Sequence, residues 1–307
     1  MNYFCFMFPT LPKIPIQEII NDFLLANKVQ LYVQREDLIH PEISGNKWRK
    51  LKYNVNDYYL KNCESIATFG GAYSNHISAI SAVGKLLNIP TYGIIRGEEV
   101  NNSTLTKAKE NGMILHFVSR EAYKEKHKSE EAVSLISTLK RPYLIPEGGS
   151  NLLGLKGCQE IIQSFDFDTV VCACGTGSTI SGVISSLREN QTAIGFSVLK
   201  GGDFLKNEIK SNLKLLHCRN NNWDLNTDFH FGGYAKYKPE LVKFISDFWR
   251  LNSIKLDPVY TGKAMYGVFK LIESGAFKNK KVLFIHTGGL QGVKGFEDRY
   301  GELLFGN

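Results

Sequence analysis

Short β-branched runs alternate with stretches whose apolar residues recur at helical spacing through most of the chain. The runs read as strands are "QLYVQRE", "SIATFG", "TYGIIRG", "ILHFVS", "YLIPEG", "TVVCACG", "AIGFSV" and "KVLFIHTGG", most of them closed by glycine or a polar cluster. Strands alternating with helices predict parallel sheet covered by helices, the α/β class. Four strand ends run into glycine-bearing turns and then a helical pattern: "GGAYSNH", "EGGSNLLG", "GTGSTISG" and "HTGGLQG". Helix N-termini therefore gather at one sheet edge, where open α/β sheets bind ligands. No internal repeat or low-complexity tract interrupts the pattern.

Composition narrows the class. At 307 residues, with 43% hydrophobic and 22% charged positions, the chain has enough apolar material for one or two ordinary domains. The net charge of +7 suits anionic ligands, but its lysines are scattered and no basic run is interleaved with aromatics, which argues against nucleic acid. Cys5, Cys63, Cys158, Cys172, Cys174 and Cys218 lie at irregular spacings, so reduced thiols in a cytoplasmic protein are expected. Cys172 and Cys174 alternate along an apolar run without a matching second pair, and read as buried strand thiols rather than metal ligands. The N-terminal "MNYFCFMFPTLPKIP" has no basic region and is broken early by Pro9, unlike a signal peptide, and no apolar run approaches membrane-spanning length.

The turns carry the candidate chemistry. In "VVCACGTGSTISG", Gly175, Thr176, Gly177, Ser178 and Thr179 offer backbone N–H groups and three hydroxyls at a helix start, a cradle for phosphate. Ile180 takes the third glycine position of a dinucleotide fingerprint and no Gly-Lys-Ser/Thr follows, so dinucleotide and nucleoside-triphosphate readings weaken. A simple capped turn is the alternative. Ser74 and Asn75 stand where they cap the next helix and present donors to a carboxylate. Tyr260 precedes a helix in "DPVYTGKAMYG", and Tyr234 lies in the glycine-bordered "HFGGYAKYKPE"; either can stack on a flat ring or serve in proton transfer. Thr287 is a turn hydroxyl. "ISGNKWRKLKYN" sets Lys47, Lys50 and Lys52 behind a Ser-Gly-Asn turn, with Trp48 and Leu51 for apolar contact.

Taken together and in this order, the lysine after "SGN", the "SNH" helix start, the "GTGST" loop, "DPVYTGKA" and the terminal "HTGG" resemble pyridoxal-phosphate enzymes of the tryptophan-synthase-β fold type, fold type II. Within that group the chain resembles the 1-aminocyclopropane-1-carboxylate deaminase and D-cysteine desulfhydrase family. The resemblance runs from about Ile14 to about Gly301 and includes "REDLIHPEISGNKWRKLKY", where the cysteine-synthase branch has a Ser-x-Lys arrangement instead. It implies two open parallel-sheet domains: a larger pyridoxal-phosphate domain of residues 1–50 plus 143–307, and a smaller inserted α/β domain of residues 51–142 that closes over substrate. It implies a homodimer as well.

Carried over by residue, the resemblance makes Lys47 the lysine that bonds covalently to the cofactor. Asn46 would meet its ring hydroxyl, and Gly175, Thr176, Gly177, Ser178 and Thr179 its phosphate. Ser74, Asn75 and His76 would face the substrate carboxylate, with Ser74 and Lys47 in proton transfer; the family usually has Gln at the position of His76. Tyr260 would stack near the ring and Tyr234 be the second active-site tyrosine. Ring-opening members usually have Glu and Leu where this chain has Thr261 and Thr287. A neutral hydroxyl near the pyridine nitrogen leaves it unprotonated, which favours the desulfhydrase branch. The expected reaction is elimination from a small D-amino acid, D-cysteine first among them, to pyruvate, ammonia and hydrogen sulfide; the alternatives are 1-aminocyclopropane-1-carboxylate deamination to 2-oxobutyrate and ammonia, or a pyridoxal-phosphate-binding protein without turnover. Lys50 and Lys52 are expected on the solvated helix face or, at most, at the site's periphery.

Overall fold

In the computed structural model, which describes residues 8–9, 11–301 and 303–306, the chain forms ten strands: β1 (Ile16–Ile19), β2 (Gln30–Gln34), β3 (Ser65–Gly70), β4 (Thr91–Arg96), β5 (Ile114–Val118), β6 (Pro142–Ile145), β7 (Thr169–Cys174), β8 (Thr192–Ser197), β9 (Trp223–Asn226) and β10 (Lys281–Ile285). They sort into a six-stranded sheet, order β1-β2-β10-β7-β8-β9, and a four-stranded sheet, order β5-β4-β3-β6. Every pairing is parallel except β1 with β2. Two open, mostly parallel α/β units result, the class that the alternation of elements predicts and the number that the family resemblance implies. Cys5 and most of the apolar N-terminal stretch lie outside the described residues.

The central strands are apolar on both faces, as strands covered by helices must be. In β10, Val282, Leu283, Phe284 and Ile285 are all fully buried, each contributing about 2 kcal/mol of transfer free energy. β1 and β9 have no counterpart among the strands read from sequence. At four residues each, half exposed on the sheet's two edges, they are too short to establish a period. Because β6 pairs with β3, the smaller sheet keeps the chain as far as Ile145.

The helix Asn46–Leu60 lies between the two sheets and carries Lys47, Lys50 and Lys52. Trp48, Leu51, Val55 and Tyr58 enter the apolar cluster of the smaller unit, beside Ile66, Ile77 and Val83. Its opposite face is tied to the larger unit by a buried ion pair. Arg49 Nε and Nη2 donate to Glu36 Oε2 and Oε1 at 2.9 and 2.8 Å, and Gln34 Nε2 adds a bond to Oε1 at 2.8 Å. Gly45 precedes this helix with φ +61°, and a Cβ there would fall 1.9 Å from the carbonyl oxygen of Thr287. Only glycine lets the turn pass so close to the end of β10.

Candidate active site

The C-terminal ends of the strands in both sheets face a cleft of about 420 Å³. Its walls come from the Ser44–Lys50 turn and helix start, Gly71–His76, Glu147–Gly148, Ala173–Ile180, Tyr234, Tyr260 and Thr287–Gly289. An outer groove of similar volume, about 430 Å³, is lined by Asp57 and Lys61, which already pair at 2.7 Å.

Lys47 opens into it and stands 3.4 Å from the carbonyl oxygen of Gly148. Burial of the amine, reinforced by the Lys50 cation, lowers its pKa to about 7. Lys50 corrects the expectation of a solvated cation. It is 2% exposed, lines the cleft, and donates to the same Gly148 oxygen at 3.2 Å. Its pKa too is lowered by burial. A separation of three on a helix puts Lys47 and Lys50 on one face, a spacing that was legible in the sequence. Lys52 does lie at the surface, bonded to Glu160 at 2.7 Å.

Ser74 is the N-cap of the helix Asn75–Leu87, its Oγ accepting from His76 N and Ile77 N at 3.2 and 3.3 Å. Ser74 and Asn75 both line the cleft, as does His76, which is 2% exposed. Thr68 spends its hydroxyl proton on Ile145 O, at 2.8 Å, so His76 Nε2, 3.0 Å from Thr68 Oγ1, must be the donor in that pair. Nδ1 is left as an acceptor without a hydrogen bond. Burial first, then the nearby Lys47 and Lys50 cations, hold the imidazole pKa well below its usual value, so it is neutral at pH 7.

Gly175, Thr176, Gly177 and Thr179 line the cleft, whereas Ser178 is 1% exposed and turns its hydroxyl to Thr176 (3.0 Å) and Ser150 (2.5 Å). Ser150 also reaches Thr176 Oγ1 at 3.0 Å, closing a triangle of three hydroxyls. Asn46 Nδ2 donates to Thr179 Oγ1 at 2.8 Å, which connects the lysine turn to the glycine loop. Tyr260 passes over Gly175, and its ring meets that of Tyr234 edge-on at 6.0 Å. Burial, together with Tyr234, pushes the Tyr260 phenol well up.

Thr287 lines the cleft; Thr261 does not. The Thr261 hydroxyl donates to Asp257 Oδ1 at 2.7 Å and accepts from Asp257 N at 2.8 Å, so it is spent on the turn before its helix instead of facing a ligand. The expectation that pairs Thr261 with Thr287 at the ligand is corrected for Thr261. Arg96, Tyr123 and Glu147 also line the cleft and have no place among the residues read from sequence. Glu147 is held by Tyr123 Oη at 2.8 Å and Lys126 Nζ at 2.9 Å. The "EGGSN" turn was the available signal for Glu147 and Ser150; Arg96 and Tyr123 come from a strand end and a helix without local pattern.

The arrangement offers a nearly neutral amine, a buried second cation on the Gly148 carbonyl, a triangle of hydroxyls at the glycine loop, and a capped helix start. Such a set can hold a phosphorylated carbonyl compound and a carboxylate side by side.

Residues 16–288 match the model of a family described as pyridoxal-phosphate dependent enzyme. The bifunctional D-cysteine desulfhydrase/1-aminocyclopropane-1-carboxylate deaminase, mitochondrial, of Arabidopsis thaliana is 30% identical, over 91% of this chain and 77% of its own. The D-cysteine desulfhydrase of Yersinia pestis (strain Pestoides F) is 27% identical, over 85% and 86% respectively. A crystal structure of an ACC deaminase homologue superposes with a TM-score of 0.80 at 31% identity, covering 93% of this chain and 92% of that one.

Proposed function

The chain belongs to the pyridoxal-phosphate dependent enzymes, as a lyase of the 1-aminocyclopropane-1-carboxylate deaminase and D-cysteine desulfhydrase group, and from that premise we propose that its substrate is D-cysteine. The residues present fit the cofactor. Lys50 is a buried cation with the Gly148 carbonyl for partner and no carboxylate in ion-pair contact among the described residues, and a phosphate dianion would satisfy it. Thr176, Thr179 and the N–H groups from Gly175 onward would hold the other phosphate oxygens, Asn46 the ring hydroxyl, and Tyr260 one ring face.

When bound, pyridoxal phosphate supplies the electron sink that lets an α-proton leave an amino acid. Lys47, with its pKa near 7, would be the residue that bonds to the cofactor, and its free amine would be the base that takes the substrate's α-proton. Asn75 and the backbone at its helix start orient the substrate carboxylate. Ser74 and the Tyr234 and Tyr260 phenols stand by for proton transfer. Neutral His76 accepts through Nδ1 and adds no charge. Overall, D-cysteine and water give pyruvate, ammonia and hydrogen sulfide.

One observation carries the choice of branch: the cleft wall after β10 presents Thr287, a neutral hydroxyl, while the Asp257 carboxylate behind it is occupied by Val259 N, Tyr260 N, Thr261 N and Thr261 Oγ1. The second reading is 1-aminocyclopropane-1-carboxylate deaminase, which the double name of the Arabidopsis relative favours. Assays of purified protein for pyruvate and sulfide from D-cysteine, beside 2-oxobutyrate from the cyclopropane substrate, decide between them. Pyruvate without 2-oxobutyrate supports the first, and the reverse product pattern sinks it.

We also propose a cytoplasmic homodimer. No helix among the described residues is long and apolar enough to cross a membrane. The division into residues 1–50 plus 143–307 and 51–142 is kept as a proposal except at its second boundary, which we place after Ile145 because β6 pairs with β3 of the smaller sheet.

A further inference from the structure

Lys263 lies in the helix Thr261–Glu273, which Tyr260 caps, and the reaction above does not use it. It is 1% exposed. Its Nζ donates to His230 O at 2.9 Å and to Gly233 O at 2.7 Å, and no carboxylate among the described residues forms an ion pair with it. A buried cation held by two carbonyls of one loop indicates that the loop is being gripped.

That loop needs a grip. Phe231, Gly232, Gly233 and Ala235 all have positive φ, at +53°, +94°, +114° and +53°, and Tyr234 stands among them. Non-glycine residues in the left-handed region persist only where their surroundings hold them. A Cβ on Gly233 would approach Lys200 Cβ to 3.3 Å, so packing from that side is close as well. Tyr234 is 49% exposed as a whole residue although its phenol is desolvated in the cleft, so the course of the loop backbone decides where that phenol points. Its ring meets that of Tyr260 edge-on at 6.0 Å.

We propose that Lys263 is a positioning residue: its amine staples the His230–Gly233 turn to the helix that begins at Tyr260, and thereby sets Tyr234 against Tyr260 in the cleft. The catalytic part of this inference rests on the reading in which both tyrosines face the substrate. The staple itself does not depend on that reading. Burial lowers the Lys263 pKa to about 8, so the amine is mostly charged at pH 7 and offers three protons to the two carbonyls.

The test uses holoenzyme of Lys263→Met and Lys263→Gln, alone and combined with Tyr234→Phe. Hydrogen exchange is read over residues 231–236, and kcat and KM are measured with D-cysteine. Lys263→Met is expected to speed exchange in that loop about tenfold while the β10 amides stay protected, and to lower kcat about 10- to 100-fold with a smaller change in KM. Lys263→Gln, which keeps two N–H donors, is expected to restore most of the loop protection, and adding Tyr234→Phe to Lys263→Met to cost little more. Unchanged loop exchange in Lys263→Met, or losses from Lys263→Met and Tyr234→Phe that simply multiply, would overturn the proposal. If the methionine variant does not fold, Lys263→Leu read beside Lys263→Gln decides: faster loop exchange in the leucine variant than in the glutamine variant supports the staple, and equal exchange in the two refutes it. Wild-type enzyme that leaves D-cysteine untouched removes the functional reading, while the exchange arm still judges the staple.

Discussion

Lys47 and Lys50 share one acceptor, their amines standing 3.4 and 3.2 Å from the carbonyl oxygen of Gly148. Two ammonium groups converging on a single carbonyl repel one another. The pair is therefore primed to lose a proton from Lys47 and to attract an anion to Lys50.

Those two roles separate experimentally. Borohydride reduction of the holoenzyme followed by peptide mapping is expected to leave the cofactor bonded to Lys47, and a label on Lys50 would reverse the assignment. Lys47→Ala should lose the label and lower kcat by about 10²–10⁴-fold. Lys50→Met should keep the label but weaken cofactor binding about 10- to 100-fold, the scale of a lost hydrogen bond to a charged group.

On the proposed assignment, covalent uptake of the cofactor by apoprotein would need the neutral amine of Lys47. Its pKa is depressed from 10.5 to about 7, so uptake should rise with pH and level off above about 8, well below the range of an ordinary lysine. Between these values the unfolded chain holds a proton that the folded chain has released. Apoprotein stability should accordingly rise as pH rises from about 7 toward 10.5. Lys50→Gln removes one of the causes of the depression, so the uptake midpoint should move to higher pH; a midpoint unchanged or lower would contradict the coupling.

Arg49→Met should destabilise the protein by about 3–5 kcal/mol in urea unfolding, because it strands the Glu36 carboxylate, which is fully buried. Glu36→Gln combined with Arg49→Met should recover part of the loss. A double variant no better than the single one would mean that packing, not the stranded charge, carries the cost.

Gly45→Ala places a methyl 1.9 Å from Thr287 O at a φ of +61°. The lysine turn must then move away from the end of β10. A loss of about 3 kcal/mol in thermal unfolding is expected, with impaired cofactor binding. Wild-type stability and occupancy would show that the turn tolerates the shift.

The sequence by itself determined the α/β class and eight of the ten strands among the described residues, since period-two and helical patterns are local properties of contiguous residues. It also determined the glycine turns and the lysine segment, because a Gly-rich strand-to-helix turn is written in adjacent positions. Tertiary structure decided which of those residues meet. Lys50 reads as a solvated cation until the turn at Gly148, 98 residues away, closes over it. Thr261 reads as a ligand contact until Asp257 claims its hydroxyl within the turn before its helix. Arg96, Tyr123 and Glu147 reach the cleft from three separate elements, with no shared period to announce them. Burial and partnership depend on contacts between segments distant in the chain, and these arise only when the two sheets pack around the lysine helix.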